Sequence, residues 1–120
     1  MNPITEELLK RTFAFGVDTL NFLFKLPKNK VYPVIIYQLV KASTSCGANY
    51  EEAQAAESKK DFIHKVGIVL KEIRESNYWF RVLDAVLPKK DSNKELNRLL
   101  NESLELRKIF TTIKLKSSRK

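Results

Sequence analysis

The chain has 120 residues, 43% hydrophobic and 30% charged, with 22 lysines and arginines against 14 acids and a formal net charge of +8. This composition excludes a disordered chain. A single cysteine excludes an intramolecular disulfide, and apolar runs such as "VIIY" fall far short of the ~18 residues a membrane span requires. Three glycines and four prolines are too few for a strand-and-turn fold, which needs turn residues about every ten positions. With no charged n-region followed by an apolar h-region, the expectation is one all-α domain of the reducing cytoplasm.

Proline and capping residues divide the chain into four helical runs. Thr5 with Glu6 and Glu7 opens the first, which Pro27 closes; the acids suit the positive end of the helix dipole. At 100° per residue, Leu9, Phe13, Val17, Leu20 and Phe24 share one face, read as the core stripe. Leu8, Phe15, Phe22 and Leu26 cluster opposite, and Glu7, Lys10, Arg11, Asp18, Asn21 and Lys25 fill the arc between. The outer helix of a monomeric bundle needs only one apolar face. Either this helix is central to its own bundle, or its second face is covered by another copy of the chain. The second reading is preferred and makes Leu8, Phe15, Phe22 and Leu26 an oligomer interface.

The second run begins at Pro33, tolerated in a first turn, and extends to about Glu57. It carries the small-residue stretch "STSCGANYEEA". Ser45, Cys46, Gly47, Asn49 and Glu52 are read as a helix-packing seam, where small side chains let backbones approach and Asn49 or Glu52 satisfies a buried polar group across the gap. The third run starts at Ser58 with Asp61, a capping-box pattern, and ends at Pro88. It aligns Phe62, Val66, Val69, Ile73, Phe80 and Leu87, with Lys71 and Glu75 forming an (i, i+4) pair. The fourth, from Ser92 with Glu95 to about Leu115, repeats Leu99, Leu106 and Ile113 every seven residues. Short connections make the expected fold an antiparallel up-down-up-down four-helix bundle over residues 1–116, followed by a basic tail at 117–120.

Enzymatic chemistry finds no footing in this pattern. Cys46, His64 and Asn49 supply the residue types of a nucleophile, base and orienter, but the thiol and the imidazole fall on different helices at different heights. One histidine, paired with Asp61, cannot build the two Glu-x-x-His motifs of a four-helix di-metal site. No phosphate-binding loop, dinucleotide fingerprint or zinc spacing is present. The expectation is a protein without cofactor or metal.

The segments "QLVKASTSCGANYEEA" and "KKDFIHKVGIVLKEIRESNYWFRVL" resemble the four-helix-bundle family encoded in intervening sequences of bacterial 23S ribosomal RNA genes, sometimes labelled S23 ribosomal proteins. The accessory protein of diversity-generating retroelements is similar in fold. The resemblance spans roughly residues 9–87 and is most specific at Asn49, Glu52, Asp61, Phe62, Lys65, Tyr78 and Trp79. It implies an antiparallel bundle assembling into a homopentamer, with a basic surface that binds RNA or DNA. In the retroelement relatives that surface also engages a reverse transcriptase.

The positive charge is concentrated in residues 25–41, 59–90 and 108–120, which carry +4, +4 and +5. In an up-down bundle, Lys25, Lys28 and Lys30 share a pole with Lys89 and Lys90. Lys59 and Lys60 share the other with Lys114, Lys116, Arg119 and Lys120. Lysines on phosphates give salt-sensitive, sequence-independent binding, so these poles are the expected nucleic-acid contacts. Tyr32, Tyr37, Tyr50 and Tyr78 are candidates for base stacking, Tyr32 foremost, and Trp79 is assigned to burial. The expected function is non-enzymatic nucleic-acid binding by a self-associating bundle. The alternative is an assembly or scaffold protein whose partner is another protein, such as a reverse transcriptase.

Overall fold

Asn2, rather than Thr5, starts the first helix: its side chain accepts a 2.7 Å hydrogen bond from the amide of Ile4, and Pro3 occupies the first helical position. The computed structural model describes residues 2–27, 32–88 and 93–119. Within them run α1 (Pro3–Phe24), α2 (Tyr32–Gln54), α3 (Lys59–Val86) and α4 (Asn93–Ser117), and no strand is present among the described residues. Ser58 caps α3 by accepting from the amide of Asp61 at 3.0 Å, whereas Ser92 lies outside the described residues. Among those residues no helix is long and apolar enough to cross a membrane.

Each helix packs on two neighbours, closing a ring from α1 through α2, α3 and α4 back to α1, with the α1–α4 seam the slimmest. Gly16 faces Thr44 and Gly47 faces Thr12, so numbers rising along α1 fall along α2. Numbers likewise run in opposite senses where Arg11 meets Glu102 and Arg98 meets Asp18 between α1 and α4. Phe15 and Phe80 meet edge to face at 5.9 Å, as do Tyr50 and Phe110 at 4.9 Å, geometries worth about 0.5–1.5 kcal/mol beyond area burial.

The first helix presents its two apolar faces the other way round from the expectation. Leu8, Phe15 and Phe22 are buried in the chain's own core, Phe15 to 1% exposure, and Leu26 packs against that core. They are therefore not an interface to another copy. Phe13, at 66% exposed, Phe24, at 80%, and Val17 face solvent, with Leu9 and Leu20 half-buried. The reason lies in Thr12, Gly16 and Thr19, which share the face of Leu8 and Phe15 and are all buried. Both threonine hydroxyls donate to carbonyls of their own helix, Thr12 to Leu8 at 2.9 Å and Thr19 to Phe15 at 2.6 Å. They thus enter the core without an unsatisfied polar atom. Their small volume, with Gly16, admits α2: a Cβ at Gly16 would stand 3.3 Å from the Thr44 Cα, and one at Gly47 3.3 Å from the Thr12 backbone.

Candidate nucleic-acid interface

The small-residue seam of α2 splits between two neighbours. Gly47 packs on α1. Cys46 is fully buried, and the surroundings that move its thiol include Glu72 and Ser76 of α3. Asn49 does not reach across a gap: its amide donates to the carbonyl of Ser45 at 2.9 Å, as the Ser45 hydroxyl does to Lys41 at 2.6 Å, and Glu52 is exposed. Burial, helped by the nearby Glu72 carboxylate, pushes the Cys46 thiol up to about 12, so the sulfur stays protonated at neutral pH. His64 is exposed. Among the described residues no group of three His, Cys, Asp or Glu side chains is placed to hold a metal ion.

Of the expected nucleic-acid contacts at the first pole, Lys25 is exposed. Lys28, Lys30, Lys89, Lys90 and the side chain of Tyr32 lie outside the described residues. At the second pole Lys60, Lys114 and Lys116 are exposed. Lys59 donates through Nζ to the Arg119 carbonyl at 2.9 Å, which brings the start of α3 to the end of α4. Tyr50 is 3% exposed and unavailable for stacking, whereas Tyr37 and Tyr78 are 64% and 50% exposed. Trp79 packs partly buried against the core, with its Nε1 the one buried side-chain nitrogen or oxygen lacking a partner among the described residues.

A second basic region emerges along the flank of α3. The line through Val66, Ile73 and Phe80 marks its core side, and at 100° per residue Lys60, Lys71, Arg74 and Arg81 lie within an arc of about 80° on the α4 side of the exposed face. Asp61 and Glu72 project toward α2, and Glu75 lies on the outer ridge about 40° from Lys71. Asp61 accepts from the Glu57 amide at 3.2 Å and from Lys65 at 2.9 Å. Glu72 lies near Ser45 and Lys41 of α2, its carboxyl raised chiefly by burial and then by Glu75. Asp84, in the last turn, is the exception to this sorting. The expected Lys71–Glu75 pair does not form within 4 Å; Asp61 and Lys65 make the (i, i+4) bridge instead.

Across the seam α4 adds bases of its own. Ser103, Arg107 and Lys114 follow one stripe at i, i+4 and i+11. Ser103 bonds to Asn77 of α3, while Lys114 lies over Gly67. The α4 acids Glu95 and Glu102 belong to the other side, where Glu102 holds Arg11 through 2.6 and 3.0 Å bonds and Glu95 grips Arg98. Among the described residues no carboxylate lies within 4 Å of Lys60, Lys71, Arg74, Arg81, Arg107 or Lys114.

Arg81 is held in place without being neutralised. The Ser103 hydroxyl donates to the Leu100 carbonyl at 2.7 Å and accepts from the Asn77 amide at 2.9 Å, and the Asn77 carbonyl oxygen accepts from Arg81 Nε at 2.9 Å. Asn77 and Ser103 are buried. The guanidinium lies 5.6 Å from the centre of the exposed Tyr78 ring, a cation–π contact, and its terminal nitrogens remain available for an anion. Net charge per segment conceals this flank because basic and acidic residues alternate along α3. Their angular positions around the helix, rather than a running sum along it, separate them.

No curated protein matches the chain. Among solved structures, a protein of unknown function from the S23 ribosomal protein family of Bacteroides thetaiotaomicron is 30% identical, with a TM-score of 0.77 over 91% of this chain and 96% of that one. The family model described as 23S rRNA-intervening sequence protein matches residues 6–112. The chain belongs to the 23S rRNA-intervening sequence protein family.

Proposed function

We propose that the chain is a non-enzymatic, antiparallel four-helix bundle of the cytoplasm that binds RNA or DNA through its phosphate backbone. The observation that carries this reading is the flank of α3 and α4, where six cations gather with no carboxylate within 4 Å among the described residues, while Asp61 and Glu72 turn toward α2. Acids interspersed among those cations would cancel the field. Held beyond ion-pairing distance, they leave a stripe that attracts a polyanion and releases its counterions. The pole lysines Lys25, Lys28, Lys30, Lys89 and Lys90 at one end, and Lys59, Lys60, Lys114 and Lys116 at the other, extend this contact. Counted with the poles, lysines outnumber arginines among these contacts, so binding is largely independent of sequence.

Electrophoretic mobility shifts with single-stranded RNA and duplex DNA across a salt series test the proposal. A shift that weakens steeply with salt is expected. Changing Lys60, Arg74, Arg81 and Arg107 to Glu abolishes it while circular dichroism stays helical. Absence of any shift at low salt, or unchanged binding by that variant, overturns the reading.

A second reading, an assembly protein that binds itself or another protein, is favoured by the exposed stripe of Phe13, Val17 and Phe24. A groove of about 320 Å³ lies beside it, between α1 and α2, lined by Thr12, Phe13, Gly16, Leu20, Gly47 and Ala48 among others. Self-association uses this face rather than the buried one. It is compatible with nucleic-acid binding, because the α1–α2 groove and the α3–α4 flank are different faces of the bundle. Light scattering on the wild type and on a Phe13→Ser, Phe24→Ser variant checks it: a larger particle that the two changes reduce to monomer is expected.

A further inference from the structure

Two of the three glycines have a steric reason and the third has none. A Cβ at Gly16 or Gly47 would press on the backbone of the facing helix at 3.3 Å. One at Gly67 would meet only the tip of Lys114, Nζ at 3.6 Å and Cε at 3.9 Å, which is ordinary contact with a flexible side chain. Gly67 does not have a positive φ either. Glycine inside a helix is the least favourable residue short of proline, so Gly67 weakens α3 with no return in packing.

What the absent side chain leaves is a depression of about 290 Å³ on the outer face of α3, lined by Ile63, His64, Gly67, Ile68, Lys71 and Lys114. Lys71, Lys114 and His64 line a floor without a side chain, and no carboxylate lines it; Glu72 faces Ser45 and Lys41 of α2 while still feeling the charge of Lys71. We infer that this depression seats one phosphodiester group of a nucleic-acid strand, with Lys71 and Lys114 on its oxygens and Ile63 and Ile68 against the sugar. The inference rests on the nucleic-acid reading above and gives it a position.

The physical case is one of fit. Lysine ammonium groups are point charges suited to phosphate oxygens rather than to planar base edges. A floor without a Cβ lets the group approach the helix between them, and both lysines are exposed and long enough to follow its oxygens. The volume is at the small end of the about 300–1,000 Å³ of small-molecule pockets, which suits a phosphate with its sugar. A peptide carboxylate offers oxygens on one side only, whereas a phosphate meets donors converging from several.

The test uses the full chain, isotope-labelled, titrated by NMR with inorganic phosphate and separately with a short single-stranded RNA. The amides of Gly67, Ile68 and Lys71 are expected to shift saturably with both probes. Gly67→Leu, which fills the floor with a better helix former, is expected to melt at a higher temperature. It should also bind the RNA about fivefold more weakly at about 0.1 M salt, with a salt slope reduced by about 0.7, the value of one single-strand phosphate contact. Lys71→Gln with Lys114→Gln loses the same response without touching the floor. Salt-dependent RNA binding that leaves these amides unmoved and the variants at wild-type affinity overturns the phosphate seat while sparing the broader reading. Amides that respond to phosphate in a chain that binds no RNA at any salt overturn the nucleic acid as ligand, as does a polyglutamate peptide that moves the same amides at lower concentration than RNA.

Discussion

The two faces of α1 carry aromatic residues of the same kind to opposite fates. Phe15 is buried edge to face against Phe80, while Phe13, two positions earlier, is mostly in water. The face with the unbroken apolar stripe, Leu9, Phe13, Val17, Leu20 and Phe24, is the outer one. The face that includes two threonines and a glycine is the inner one. What the difference teaches is that close approach outranks bulk. A helix turns inward the face that lets a neighbouring backbone come near, provided its hydroxyls are satisfied locally.

Replacing Phe15 with alanine gives the largest effect expected, a loss of about 3–5 kcal/mol in denaturant unfolding, because the cavity lies where α1 meets α3. Phe13→Ala changes stability by no more than about 0.5 kcal/mol. Equal losses at the two positions would erase the distinction between the faces. Next in size is Gly47→Val, whose side chain meets the Thr12 backbone at a position already 3.3 Å from an added Cβ. Overpacking there costs about 1–3 kcal/mol, and a neutral result would mean the seam is looser than the geometry says.

Much of the fold was open to inspection in the chain. Pro27, Pro33 and Pro88 punctuate it, Ser58 caps α3 as the Ser58–Asp61 spacing suggests, and the stripe of Val66, Val69, Ile73 and Phe80 is the buried one. The orientation of α1 was not, because hydropathy counts Thr12 and Thr19 as polar, whereas their hydroxyls are consumed by Leu8 and Phe15 carbonyls one turn back. Asn49 likewise spends its amide on its own helix. Which of a side chain's bonds stay local depends on rotamers and neighbours that linear spacing does not encode. The candidate site divides the same way. Of the expected poles, the structure joins Lys59 to the end of α4; the α3–α4 flank needs charges from two helices in register, and Arg81 owes its position to Asn77 and Ser103, residues with no charge to draw attention.

The two seams beside α1 sharpen the comparison further, since packing closes one and ion pairs bridge the other. The bidentate Arg11–Glu102 pair, about a quarter to a third exposed at each side chain, should show a coupling of about 1 kcal/mol in a double-mutant cycle. The more exposed Arg98–Asp18 pair should show about 0.5 kcal/mol or less. Both couplings should shrink in high salt, which leaves the cost of Gly47→Val unchanged. A salt-insensitive α1–α4 coupling would assign that seam to packing as well.

The smallest effects expected are opposite in sign and read by pH. Arg98 bonds to Glu95 and holds its carboxyl below the usual range. The stabilisation is therefore present above the unfolded value of about 4.3 and fades as pH falls through the folded one. Glu72 is raised by burial and by Glu75. Its protonated form is the one folding favours, so its contribution is complete below about 4.3 and lost as pH rises through the folded value. Glu95→Gln should accordingly lower the melting temperature at neutral pH and leave it unchanged in acid. Glu72→Gln should raise it at neutral pH, by the equivalent of a few tenths of a kcal/mol, with the gain vanishing in acid. Melting curves for the two variants between acid and neutral pH should diverge as pH rises. Parallel curves would mean that the surroundings of Glu72, against Ser45 and Lys41 of α2, are no drier than solvent.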